Sequence, residues 1–597
     1  MKKFLAILLC LVMVLGCLVG CAKTETKQEE APKQEETKKE EPKKEEPKKE
    51  ETKKEDTTQQ TETKDETPAW VPGQLPLVQP GEDNVITIGL NQHAMIEDYE
   101  TNATTLWIEE QTGVDLQFVY FSATASEAQT QLNAMVAANE KLPDILSYLA
   151  LPSSLMYQLG EDGYFLDLTD YINDLGYYFW ENYNQLTKTE QENIWLYGTD
   201  PNNGAFYGYP SYAPGTGVDT CGACVLVNQK WLDKVGKEVP TTLAELRDVL
   251  QAFKDGGDMN GDGIENDIGG LGYYTGNKGD ITEFIINAFI YCNDKGGRLN
   301  VTDGQLWAPF VTDEYREALK YMFDLYKDGL LNPLTFSIAK AAEIKALTTP
   351  AEGPSLVGLV TCHPTNAFDV AAATAGNVSD YVAVPPMKDE TGKGGYGPRA
   401  WVYPTYDSYV TADAKNPELA FKLMDFIGSV ECVHRMYYGE YGVDWDYAAA
   451  GTVDNYGDPA AIHVINNVWR TQNNKCWNMV HTSIRPAGCN ASEFVDDGSP
   501  TSARSALNRD CRNYYNAAGE PAQLMGTLIY TAEEKEEVTE LSTGIGDYID
   551  EARALFVSGV MDPYNDADWQ TYLDNLNTLH LDRFISIAQA AWTRMHS

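Results

Sequence analysis

Hydrophobic residues along this chain keep two periods, two and about 3.6, and the switches between them mark its elements. VITIGL (Val85–Leu90) reads as a strand, and VDLQFVYF (Val114–Phe121) as a second with alternating apolar positions. Between them Thr104–Gln111 is predicted to be a helix, stopped by Gly113. A further helix from Ser126 is expected to bury Leu132, Met135 and Val136, and DILSYL (Asp144–Leu149) is a third strand. That β-α-β-α-β order predicts a parallel, doubly wound sheet, whose ligands lie beyond the carboxyl ends of the strands. Asn91, Gln92 and His93 follow the first strand there, and Ser147 and Tyr148 the third. A lone loop histidine is more often structural than functional, so His93 adds little by itself.

The same reading continues from Val225 to Gly270. VLVN is a short apolar strand, followed by a helix carrying Trp231 and Leu232. Thr242 is a good N-cap for the next helix, and Glu245 three residues later can close a capping box. Leu243, Leu246, Val249, Leu250 and Phe253 then recur on one helical face. After that helix, Asp258, Asn260 and Asp262 alternate as oxygen side chains, with Gly263 free to turn sharply. This is the spacing of an EF-hand-like cation loop, in which Ile264 offers its carbonyl. Position 12 is Gly269 rather than a bidentate Glu, so Asn266 and Asp267 would have to complete the shell around Ca²⁺. Such a cation would be structural, since no catalytic groups adjoin the loop. The competing reading is a solvated acidic turn.

Further along, Thr312 opens a helix with Tyr315, Leu319, Met322 and Phe323 on its inner face. SLVGLVT (Ser355–Thr361) is a buried strand. Asn416 caps a helix with Pro417 at its first position and Leu419, Ala420, Leu423 and Phe426 inward. Thr531 opens a long acidic helix towards Val557. Aromatic residues are frequent, and most belong to packing. In GAFYGYPSY, however, glycines and a proline put Tyr207 and Tyr209 on a turn, which favours a cleft-facing placement.

Composition narrows the class. Lys2 and Lys3 precede an apolar run from Phe4 to Val19, too short for a typical transmembrane helix, which ends in Leu-Val-Gly-Cys21. This is a lipobox, which predicts diacylation of Cys21; an ordinary cleaved signal peptide is the other reading. Lipid would anchor the protein to the extracellular face of the membrane without spanning it. Residues 22–66 are almost entirely Lys, Glu, Thr, Gln and Pro, too polar to bury a core, and read as a disordered tether. The formal net charge of -44 falls mostly on the remaining body. That argues against nucleic-acid binding and against attachment to anionic lipid. With 43% hydrophobic residues over the whole chain, the body can hold a large core, in two lobes. Its scattered cysteines, Cys221-x-x-Cys224 included, lack zinc spacing and are expected to be buried thiols, with disulfides the alternative.

Several of these segments, in this order, resemble extracellular solute-binding protein family 1, the carbohydrate-uptake lipoproteins of ABC importers. They are Trp231-Leu-Asp-Lys-Val-Gly236 with Pro240 and Thr242, the Asp258–Gly263 loop, and Gly163-Tyr-Phe-Leu-Asp-Leu-Thr169. Tyr437–Tyr447 (YYGEYGVDWDY), FVSGVMD and the closing Trp569, Tyr572 and Leu576 extend the likeness to the end of the chain. The resemblance implies an α/β, two-lobe periplasmic-binding-protein-like fold of type II, each lobe a mostly parallel sheet flanked by helices. It divides the chain into a signal peptide (1–20), lipidated Cys and tether (21–80), an N-terminal lobe (81–212 and 385–432) and a C-terminal lobe (213–384 and 433–597). It further implies a monomer that is not an enzyme, a carbohydrate ligand between the lobes, and an ABC permease partner. Tyr207 and Tyr209, Tyr273, Arg399, Trp401 and Trp445 then join Asn91, Gln92, His93 and Tyr148 as expected ligand contacts. A secreted glycan-active enzyme, or a surface glycan-binding adhesin without transport, remains the alternative. No H-E-x-x-H, G-x-S-x-G or P-loop motif supports the enzyme.

Overall fold

The computed structural model describes residues 70–79, 81–214, 224–272, 279–292, 298–389, 391–397, 403–478, 482–519, 521 and 525–596. The signal segment, Cys21 and the tether lie outside them, as do Cys221, Tyr273, Arg399 and Trp401.

Among the described residues thirteen strands follow in chain order. They are β1 (Val85–Asn91), β2 (Asp115–Phe121), β3 (Ile145–Ser147), β4 (Tyr209–Ser211), β5 (Val225–Asn228), β6 (Ile268–Gly272), the hairpin β7 (Asn300–Thr302) and β8 (Gln305–Trp307), β9 (Val357–Thr361), β10 (Tyr381–Ala383), β11 (Thr405–Val410), β12 (Trp445–Tyr447) and β13 (Ile462–Val464). Two sheets carry the lobes, ordered β2-β1-β3-β11-β4 and β10-β5-β9-β6. Each backs onto its own hydrophobic core.

The expected β-α-β-α-β start is present, and β1 pairs in parallel with both β2 and β3. Asn102 caps the intervening helix Ala103–Thr112, and Gly113 ends it at φ 75°, a left-handed turn that glycine takes without strain. In the helix Ala125–Ala137 Leu132 is buried, while Met135 and Val136 are only half-covered. The sheets are mixed rather than mostly parallel. β11 comes from far along the chain and runs antiparallel between β3 and β4. In the second sheet β6–β9 is parallel, but β5 runs antiparallel to both β9 and β10.

Local signals fixed many helix ends where expected. Both halves of the Thr242–Glu245 capping box form at the helix Leu243–Asp255, and its five apolar residues are buried. Asn416 caps Pro417–Ile427, and Thr531 with Glu534 boxes the 27-residue helix Ala532–Ser558.

The expected lobe boundary after residue 432 cuts through the helix Val430–Tyr438. Cys432, Val433 and Met436 all sit in the first core with Trp477 and Ile484. The physical reason is that this helix crosses Ala103–Thr112, where the Arg435 guanidinium lies 4.2 Å over the Trp107 ring. The chain joins the second core later, from Leu507. At its start, residues 70–79 form a strap on the first lobe. Leu77 donates to Thr112 O at 2.8 Å, Val78 is buried in the first core, and the Lys422 ammonium lies 4.2 Å over Trp70. Among the described residues no helix is long and apolar enough to cross a membrane. Cys362, Cys432, Cys476, Cys489 and Cys511 are free thiols, all but Cys489 buried.

Candidate functional site

Strand register places the site. Asn91 ends β1 beside Tyr148, which follows β3, and β11 begins at Thr405 opposite Ser211, where β4 ends. In the second sheet Thr361, the last residue of β9, pairs with both Gly272 and Val225. The chain therefore leaves the first sheet at Ser211 and enters the second at Val225, then leaves it after Ala383 and returns at Thr405. Both crossings run between the same two edges, so the carboxyl edges of the sheets are set against each other across the hinge.

Polar groups without partners collect at these edges. Asn91 Oδ1, Thr361 Oγ1 and Arg485 Nε are buried and, among the described residues, have no hydrogen-bond partner. Arg485 belongs here because its amide donates to Tyr212 O at 2.7 Å, just beyond β4. Its guanidinium reaches the Tyr437 hydroxyl at 3.4 Å, and the Tyr437 ring lies 4.3 Å from that of half-buried Trp469. Next to this pair, Ile96 and Asn473 bridge, so the 466–478 segment flanks His93. Burial, and then the Arg470 charge, hold the His93 imidazole below its usual pKa. An aromatic face beside amide, hydroxyl and guanidinium groups suits a polyhydroxylated ligand, whose C–H faces stack while its hydroxyls pair.

At the Thr405 end the groove opens into a cavity of about 600 Å³. From the first lobe it is lined by Ser153, Ser154, Tyr197, Tyr403, Pro404 and Thr405, and from the other side by Thr527–Tyr530 and Lys535. Leu528 and Ile529, adjacent in sequence, belong to opposite cores. The Lys535 ammonium bonds the Ser154 hydroxyl across the gap.

The expected contacts divide. Asn91, exposed Gln92, half-buried His93 and buried Tyr148 do come together at the first sheet's edge. Tyr148 adopts φ 64° there, and its hydroxyl donates to Met436 Sδ at 3.6 Å. Tyr209 is not cleft-facing. It is 1% exposed, and its hydroxyl donates to Asp425 Oδ1 at 2.8 Å. Gly208 serves close packing, since a Cβ there would stand 2.7 Å from Tyr406 Cβ. Tyr207 is likewise buried, its ring against Gly160 and its hydroxyl accepting from Asn203 at 2.8 Å. Trp445 is 0% exposed, with its indole N–H on Gly439 O at 2.9 Å and its ring edge-on to His434 at 5.1 Å. It is the core of a small region around β12 and β13, with no face for a ligand. Arg485, Tyr437, Trp469 and Lys535 escaped sequence reasoning, whereas Tyr403, which the sequence places beside Arg399 and Trp401 near the expected cleft, does line the cavity. Each of the first four becomes a lining group only through partners far away in the chain.

In the loop after Leu243–Asp255, Asp258 accepts from the amides of Gly261 (2.7 Å) and Gly263 (2.9 Å), which curls the loop around its carboxylate. Asp262 Oδ1 accepts from Ile264 N at 2.8 Å and Asn260 Oδ1 from Asp262 N at 2.9 Å, while Asn266 N donates to the Ile264 carbonyl at 3.0 Å. Asp267 Oδ2 takes the amides of Met259 and Asn260, but its Oδ1 is buried with no partner. Burial, followed by the charges of Asp258 and Asp262, raises the Asp267 pKa. A cation at that orphaned oxygen would relieve both effects, so the residues fit a hard cation. Among the described residues no three His, Cys, Asp or Glu side chains gather as a metal cluster, so amide, carbonyl and water oxygens would have to supply the rest.

Comparison with known proteins bears on the family and the fold. A family model described as bacterial extracellular solute-binding protein matches residues 94–442. The polygalacturonan/rhamnogalacturonan-binding protein YtcQ of Bacillus subtilis is 26% identical over 228 residues, 38% of this chain and 40% of that one. The fructooligosaccharide ABC transporter substrate-binding protein FusA of Streptococcus pneumoniae is 32% identical over 110 residues, 18% of this chain and 20% of FusA. The chain thus spans well under half the length of these curated relatives. The solved structure of FusA in complex with kestose matches with TM-score 0.59 and 19% identity, over 86% of this chain and 99% of FusA. A second FusA structure is described as an EF-hand mutant. An "HMO binding" ABC-transporter-associated solute-binding protein from Bifidobacterium longum infantis matches at TM-score 0.65 and 18% identity, over 86% of this chain and 99% of that one. These likenesses establish a two-domain periplasmic-binding-protein-like fold.

Proposed function

This chain belongs to the bacterial extracellular solute-binding protein family, and on that premise we propose that it captures a carbohydrate between its lobes and hands it, unchanged, to an ABC permease. The observation that carries the reading is the set of unpartnered polar atoms on the two carboxyl edges, Asn91 Oδ1, Arg485 Nε and Thr361 Oγ1. Buried polar groups left without partners are costly, and hydroxyls of a bound sugar would satisfy them. The half-buried Trp469 beside Tyr437, and the tyrosines of the neighbouring cavity, supply stacking faces. Relatives whose names carry pectic polymers and fructooligosaccharides support an oligosaccharide over a monosaccharide. A structural Ca²⁺ in the Asp258–Asp267 loop, a diacylated Cys21 on the extracellular face of the membrane, and a monomeric body complete the proposal.

Calorimetry against a panel of kestose, galacturonate oligomers and milk oligosaccharides tests it. One class should saturate at one ligand per chain with no cleavage products. Asn91→Ala and Arg485→Ala should each raise Kd about tenfold, or about 1.4 kcal/mol. Release of shorter sugars, or variants that bind as well as the parent, would overturn the reading.

A further inference from the structure

Away from the groove, a tight loop in the first lobe holds a carboxylate that nothing described so far explains. Asp200 sits between the helix Lys188–Gly198 and β4, at the start of Asp200-Pro-Asn-Asn-Gly204. Its side chain is 0% exposed, Oδ1 accepts from Asn202 N at 2.8 Å, and Oδ2 is buried with no hydrogen-bond partner. Beside it stands Glu161, the last residue of the helix Ser153–Glu161, whose Oε1 is held by Asn202 Nδ2 at 2.8 Å. That helix has no basic residue in its last turn, so its negative end adds to the charge of Glu161 and Asp162. Burial first, then the Glu161 carboxylate, raise the Asp200 pKa. Two carboxylates this close, one of them sealed and half-satisfied, need either a shared proton or a cation.

We propose that Glu161 and Asp200 form a second cation site, in the first lobe, that takes Ca²⁺ through these two carboxylates, amide or backbone carbonyl oxygens of the 200–204 loop, and water. The donor set is all oxygen and carries two formal negative charges, which suits a hard divalent ion. Such an ion would pin the carboxyl end of Ser153–Glu161 to the loop that feeds β4. The opposite end of that helix presents Ser153 and Ser154 to the inter-lobe cavity, so the site would brace one wall of the groove.

The test uses the full chain with the Asp258–Asp267 loop disabled by Asp258→Asn and Asp262→Asn, so that Ca²⁺ bound there cannot be mistaken for this site. Calorimetry with Ca²⁺, and terbium luminescence sensitised by Tyr157 and Tyr207, should still report one ion per chain. Adding Glu161→Gln, at an exposed position chosen to leave folding intact, should weaken that ion about tenfold or more. Asp200→Asn should do the same, with far-ultraviolet circular dichroism as the check on folding. Absence of any ion in the loop-disabled chain, or an ion indifferent to both substitutions, would overturn the proposal and leave a proton shared between the two carboxylates.

Discussion

Asp425 shows how a single side chain can hold an aromatic lobe together. It is 3% exposed, yet it accepts from the amides of Tyr177 (2.8 Å), Tyr178 (2.9 Å) and Phe179 (2.8 Å) and from the Tyr209 hydroxyl (2.8 Å). Three of those donors are amides at the start of the helix Tyr178–Tyr183, so the carboxylate serves as its cap from another element. Asp425→Ala would strand four donors, of which the Phe179 amide and the Tyr209 hydroxyl are buried. We expect a loss of about 3 kcal/mol, or more, in denaturant unfolding, against the net worth of buried hydrogen bonds. A loss under about 1 kcal/mol would mean that water replaces the carboxylate. Tyr209 was misread for the same reason that Asp425 went unnoticed. Gly208 and Pro210 announce a turn, whereas the glycine is there to let β4 approach Tyr406, a neighbour almost 200 positions away.

Elements bounded by local chemistry were legible in advance. The capping box at Thr242, the helix start at Thr531, the Asn416 cap and the Gly113 stop rest on local signals, and they stand where the pattern puts them. The 258–267 loop is of the same kind, since its Asp258, Asn260 and Asp262 turns are short-range. If Ca²⁺ occupies it, chelation should lower the melting temperature of the parent chain, and Asp258→Asn should abolish most of that difference. Equal melts with Ca²⁺ and with chelator would leave the loop as a solvated turn. Sheet order was less legible. β11 inserts antiparallel beside β3 from more than 250 residues away, and only the finished sheet brings the two together. The region from Gly439 to Ser499 has short strands and many turns, with no periodicity strong enough to announce its burial of Trp445 or its delivery of Trp469 and Arg485 to the groove.

At the scale of the molecule, two separate cores share the crossings at Ser211–Val225 and Ala383–Thr405 and a later passage between Ile484 and Leu507. Lys535 on Ser154 and Met595, which packs against both cores, are among the contacts that a tilt of one core on the other would strain. A sugar that pairs with Asn91 on one edge and Thr361 on the other gains both only when the lobes approach. Small-angle scattering should therefore show a smaller radius of gyration for the saturated protein, and Lys535→Ala should enlarge that of the ligand-free form. An unchanged curve on saturation would place the ligand on one lobe alone. The strap at residues 70–79 adds a mechanical asymmetry to this picture. Among the described residues, it is fastened through Thr112 and Lys422 to the first lobe. A tug arriving from before Trp70 would thus reach that lobe first, as a mooring line pulls on a hull.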